Sequence, residues 1–381
     1  MTLEAINMLQ TAADGSFLDL FTMMPCVGYL LVALAKALKI KMNRSVFENL
    51  VSELRDMWPH GQIPQDEHEV LSTALNQLKL LVRGIVYFVV VFRVSTIFIL
   101  PVLFVYIKSW LGYDVQFILP FGYWLPFDPY QDIKYLFEIV FFVMTCHCFL
   151  SALSMMAGDL LFIVCLSHIT TQFALLLVRI DKLFYVPIDD QLVETYPLGM
   201  YLPFTKNKQQ LEIENNPSSI DDNDRDKKIE EELVFIIERH RALIRLSSDI
   251  ENMYTFSLLV NFMNSSVIIC FCLFCVAFVE KWNEFIYKIF FTTAISQTFI
   301  LCWYGQRLMD TSTGVGEALY KCGWYTASHK IKKSILIMIH RAQKEVHITT
   351  YGFSVISLAS YATILRTSWS YFTLLINMYK E

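Results

Sequence analysis

Apolar positions along this chain fall into six long runs, each about the 20 residues needed to cross a hydrocarbon core or longer. They cover residues 17–38, 84–107, 135–180, 254–279, 287–308 and 349–378. Asp19, Pro25 and Lys36 interrupt the first, and Arg93 lies in the second. The third keeps helical spacing for too long to be one span. Its first half is expected to cross the membrane and its second half to continue as a packed helix in the cytoplasm. Residues 211–232 are polar and acidic, with Pro217 among them, and read as a flexible loop. Helix is expected again from about Asp224, where Leu233, Ile236, Ile237, Leu243 and Leu246 repeat with helical period up to the fourth run. The pattern predicts an all-α, multi-span membrane helical bundle with six transmembrane helices and a packed cytoplasmic helical region. The expected division is 1–180, membrane helices with a cytoplasmic extension; 181–232, a cytoplasmic loop; and 233–381, a cytoplasmic helix and the remaining spans.

The last run differs from the others. In "TILRTSWSYFTLLINM" (363–378), Thr363, Thr367, Ser370, Leu374 and Asn377 recur at alternating spacings of four and three. That spacing aligns them on one helix face, with Met378 nearly on it. Hydroxyls and an amide along a membrane helix read either as close-packing contacts between helices or as the wall of a water-filled path. Arg366 is expected to turn away from this stripe.

Lys and Arg cluster after the first, third and fifth runs and are sparse in the alternate connections. Positive residues stay on the cytoplasmic side, which places both ends of this chain outside. "MTLEAINMLQTAADG" has no basic segment followed by a short apolar core, so a cleavable leader is not expected there.

Composition agrees with the pattern: 55% hydrophobic, 15% aromatic and only 18% charged. The net charge of -5 gives no basic footprint for nucleic acid. Most of the nine cysteines lie within apolar runs, where they read as small apolar residues rather than a disulfide framework or metal site. No metal-ligand helix motif, phosphate loop or nucleophile elbow appears, so neither an enzyme nor a cofactor is expected. No internal repeat points to a transporter.

Four stretches, in order, resemble insect odorant receptors. They are "LPFGYWLPFD" (119–128), "ERHRALIRLSSDIENMYT" (238–255), "CWYGQRLMDTSTGVGEALYKCGWY" (302–325) and the closing "TYGFSVISLASYATILRTSWSYFTLLINMYKE". The resemblance implies seven membrane helices, a cytoplasmic N-terminus, an extracellular C-terminus and a plasma-membrane location in olfactory sensory neurons. It also implies an odorant-gated, non-selective cation channel: a heterotetramer of tuning subunit and co-receptor, with membrane lipid around it and a small volatile ligand. "FENLVSELRDMWP" (47–59) resembles the connection between the family's second and third helices. The six spans here then match the family's second to seventh; a gene model lacking its first exon is the expected reason, with a functional six-helix form as the alternative.

By the same resemblance the last helix lines the pore. Thr363, Thr367, Ser370 and Asn377 would form the polar wall, and Leu374 and Met378 the apolar constriction. The odorant pocket would lie in the outer half of the first four spans here. Its candidate residues are Phe17, Phe21 and Met24; Phe98, Val102 and Phe104; Phe137, Phe141 and Thr145; and Phe271 and Phe274. "KKSILIMIHRAQKEVHI" (332–348) resembles the short helix before the pore helix, through which subunits would assemble. The alternatives are a G-protein-coupled chemoreceptor, whose usual third-helix and last-helix motifs are missing, and a non-functional truncated receptor.

Overall fold

The structure is a computed structural model. It describes residues 2–13, 17–59, 61, 63–88, 103, 106–107, 110–111, 136–184, 222–278 and 284–380. Among these, nine α-helices follow one another: α1 (Thr2–Ala13), α2 (Phe17–Met42), α3 (Arg44–Asp56), α4 (Gln65–Val86), α5 (Leu136–Lys182), α6 (Asp222–Phe278), α7 (Glu284–Lys321), α8 (His329–Ala342) and α9 (Leu358–Lys380). Three of the described helical stretches are long and apolar enough to cross a membrane: Met23–Met42, Leu136–Lys182 and Arg225–Phe278. The helices α7 and α9 are also long, but their hydroxyl, amide and charged residues dilute the apolar pattern.

The long helices follow the sequence expectation closely. The third run is one continuous helix, α5, and the helix that resumes near Asp224 is continuous with the fourth run in α6. Most of the second run lies outside the described residues, although its first residues end α4, which begins well upstream at Gln65. The sixth run is corrected. Helix begins only at Leu358, and residues 349–357 form a hairpin closed by a Thr349–Val355 antiparallel bridge. The N-terminal α1 was not foreseen; Asn7 Nδ2 lies 3.5 Å from Met23 Sδ of α2.

The chain forms two compact units. One contains residues 1–172, 244–310 and 346–381. Its α5 face buries Phe162, Ile163, Leu166 and Ile169, at spacings that keep them on one side of the helix. In α6, Ile250, Met253, Tyr254 and Leu258 do the same, and α7 contributes Leu301, Cys302 and Leu308. Where these helices lie in lipid, their association rests on close packing and interhelical hydrogen bonds rather than on removing apolar surface from water. Around this core, Arg245 of α6 pairs with Glu53 of α3, and Arg307 Nη1 of α7 donates to Gln77 Oε1 of α4 at 3.2 Å.

The other unit contains residues 173–243 and 311–345. Phe173, Leu176 and Ile180 of α5 are buried here, with Leu233, Ile236 and Leu243 of α6, Val315 and Leu319 of α7, and Ile331, Ile335, Met338 and Ala342 of α8. Small residues set its spacing: a Cβ on Gly316 would stand 3.3 Å from the Ala342 Cβ. His240 is buried at its centre, 6.0 Å from Phe173 in an edge-on ring contact. Burial first, and the Arg341 guanidinium second, push the His240 imidazole down to about 4. It is therefore neutral at physiological pH. Arg179 reaches both Glu232, at 3.6 Å, and the face of Phe235, at 4.6 Å. Lys330 of α8 pairs with Glu230 of α6.

Candidate pore helix and its surroundings

Local chemistry explains where α9 starts. Ser357 is its N-cap: the hydroxyl accepts from Ser360 N at 3.3 Å and the carbonyl accepts from Tyr361 N at 3.1 Å. Upstream, Ile356 N donates to Ile348 O at 2.9 Å and Thr350 N to Ser354 O at 2.9 Å, so the hairpin consumes its own backbone groups.

One face of α9 packs inward. Ser368 is fully buried, and Ile364 and Leu365 lie against Ile268, Ile269 and Cys272 of α6 and Phe290 and Ala294 of α7. Tyr361 meets Phe299 of α7 edge-on at 5.5 Å, and Tyr379 meets Phe274 and Phe278 of α6 at 5.4 and 4.8 Å.

The opposite face carries the stripe found in the sequence. Thr363, Ser370, Leu374, Asn377 and Met378 are exposed, Leu374 by 56% and Met378 by 66%, and Thr367 is half-buried. The hydroxyls are already engaged as donors along the helix. Thr363 donates to Ala359 O at 3.0 Å, Thr367 to Thr363 O at 2.9 Å, Ser370 to Arg366 O at 3.1 Å and Thr373 to Ser370 O at 2.8 Å. With their protons turned back to the backbone, these oxygens present lone pairs outward. Such a surface suits water and partly dehydrated cations better than anions.

The exposed face is wider than the stripe, because Arg366, Trp369, Tyr371 and Thr373 are exposed as well. Arg366 does not turn away as expected. It stands one turn before Ser370 and roughly 60° from the middle of the stripe by helical geometry.

Of the candidate pocket residues, Phe98, Val102 and Phe104 and the side chains of Phe17 and Phe21 lie outside the described residues. Met24 is half-buried on α2. Phe137 and Phe141 stack at 6.1 Å on α5, and Thr145 Oγ bonds to the Phe141 carbonyl at 2.8 Å. On α6, Phe271 is half-buried and Phe274 fully buried against Phe278 and Tyr379.

A buried ionic cluster joins three helices. Asp159 of α5 accepts from Lys36 Nζ of α2 at 2.5 Å and from Gln297 Nε2 of α7 at 2.6 Å. Lys36 is only 4% exposed, and its aliphatic stem lies against Gly158, whose added Cβ would be 3.1 Å from it. Asp159 lies within the apolar run 135–180, and its partners sit on helices distant in sequence.

The profile of the family described as "7tm Odorant receptor" matches residues 16–369. Odorant receptor 67c of Drosophila melanogaster is 26% identical over 360 residues, covering 94% of this chain and 79% of its own. Odorant receptor 85b of the same fly is 26% identical over 384 residues, covering 99% of this chain and 87% of its own. In three dimensions the chain is similar to the olfactory receptor OR5 of Machilis hrabei, solved alone and in complex with eugenol. The TM-scores are 0.76 and 0.75 at 16% identity, over 99% of this chain and 85% of that one. The match over nearly the whole length, with apolar helices long enough to span a membrane, leaves one conclusion: this chain belongs to the membrane-spanning odorant receptor family.

Proposed function

We propose that this receptor is the ligand-binding subunit of an odorant-gated, non-selective cation channel, assembled with a co-receptor in the plasma membrane of olfactory sensory neurons. The carrying observation is the exposed stripe of α9, whose hydroxyl protons are tied to the helix and whose oxygens point outward. Four such helices around an axis turn each level of the stripe into a ring. The rings of Thr363, Thr367, Ser370 and Asn377 keep the path wet, since a bare hydrocarbon wall dewets and blocks ions. Leu374 and Met378 form the apolar constriction that closes it. The C-terminus is then extracellular, in line with the charge pattern of the loops.

The ligand is a small, mostly apolar molecule held among aromatic side chains of the outer bundle. That one solved neighbour is in complex with eugenol, a small aromatic compound, supports this class of ligand. The Phe137–Phe141 stack and the half-buried Phe271 and Met24 are the described side chains offered for it. Recording from cells that express the receptor with the co-receptor while G-protein signalling is blocked tests the reading. Odour-evoked current persists if the proposal is right, and its loss under the block contradicts it.

A further inference from the structure

The hairpin before α9 is held from outside by two polar side chains of α6. Glu251 Oε1 accepts from Thr349 N at 3.0 Å and also from the Thr349 hydroxyl. One turn further along α6, Thr255 Oγ donates to Thr349 O at 3.1 Å and accepts from Tyr351 N at 2.7 Å. Thr349 therefore has its amide, carbonyl and hydroxyl all bound to one face of one helix. The hairpin tip is a two-residue turn in which Phe353 N donates to Thr350 O at 3.0 Å and both central residues have positive φ, 52° at Tyr351 and 74° at Gly352. Among the described residues Tyr351 is the sole non-glycine in that region. A tyrosine is held there only when its surroundings fix it, and the Thr255 bond to its amide does so. The helix α7 closes the other side. A Cβ on Gly305 would fall 2.3 Å from the Ile356 carbonyl oxygen, so only glycine lets α7 come this close, immediately before the Ser357 cap.

We propose that Glu251, Thr255 and Gly305 form a seat that positions the root of α9 and sets the balance between the closed and open pore. This inference rests on the reading of α9 as the pore helix. The same α6 that carries the seat continues unbroken to Phe271 and Phe274, so a ligand that shifts α6 moves Thr349 and, through a short tether, the first turn of α9. The carboxylate acts by position, through the two hydrogen bonds it accepts from Thr349.

Glu251→Ala, Glu251→Gln and Thr255→Val, each expressed with the co-receptor, test the seat. Glu251→Ala removes both hydrogen bonds and is expected to raise basal current and shift the half-maximal ligand concentration by at least roughly tenfold, at unchanged surface expression. Glu251→Gln keeps an acceptor oxygen and stays within about twofold of the wild type. Thr255→Val shifts both readouts in the same direction as Glu251→Ala, and it decides the matter if Glu251→Ala does not reach the surface. Hydrogen exchange at the Thr349 and Tyr351 amides accelerates in both Glu251→Ala and Thr255→Val. Faster exchange with unaltered basal current and ligand sensitivity reduces the seat to a structural contact and overturns the proposal, as does unaltered exchange. If the wild type passes no ligand-evoked current, the pore reading itself fails. The seat is then judged without current, by the thiol-modification rate of Ser370→Cys with and without Glu251→Ala, and an equal rate overturns it.

Discussion

Asp159 illustrates how a single residue can be costly alone and useful in company. An isolated carboxylate in a span is expensive, but here one oxygen meets the Lys36 ammonium and the other the Gln297 amide, so three helices share one charge centre. Removing one partner leaves a buried charge unpaired. Lys36→Met is therefore expected to destabilise the bundle by about 3–5 kcal/mol. Lys36→Met with Asp159→Asn should recover most of that loss, because the Asn oxygen still accepts from Gln297. Thermal unfolding in detergent and surface expression read both. If the double variant is no better than the single, the pair is not the source of the cost.

At the level of elements, the continuous helices were the most legible part. The apolar runs and their helical period placed α5 and the long α6 within a few residues, because a lipid-facing or fully packed helix leaves that signature in its own sequence. The hairpin at 349–357 was not legible. Its Tyr351, Phe353, Val355 and Ile356 continue the apolar run, while the groups that stop the helix, Glu251, Thr255 and Gly305, lie far away in the chain. The stripe of α9 was readable from spacing alone, whereas its breadth, with Arg366 and Thr373 beside it, needed the fold. The lone apolar step in that stripe carries the sharpest consequence. Leu374→Ala is expected to widen and wet the proposed constriction, and basal current should rise roughly severalfold. An unchanged basal conductance at normal surface expression would count against Leu374 as the gate.

At the scale of the molecule, the two units rest on different chemistry. The unit built from residues 173–243 and 311–345 holds a neutral histidine in its core. The His240 imidazole is pushed down from its ordinary 6.5 to about 4, mainly by burial. The unfolded chain thus binds more protons between those values, and folding stability is complete above about pH 6.5 and falls as pH drops towards 4. His240→Phe should flatten that slope, measured by thermal unfolding between pH 7.5 and 5. A slope equal to that of the wild type would assign the acid sensitivity elsewhere. Sequence periodicity foretold the helical face of Leu233, Ile236 and Leu243 that is buried in this unit, but not that a histidine would sit among such residues.

The central claim is that ions pass along the exposed stripe of α9. Ser370→Cys, expressed with the co-receptor and treated with a positively charged, membrane-impermeant thiol reagent, tests it most directly, with the wild type treated in parallel. The account predicts that odour-evoked current falls in the variant and not in the wild type, and that prior exposure to ligand speeds the block. A variant that is labelled at Ser370→Cys yet conducts as before would contradict the claim.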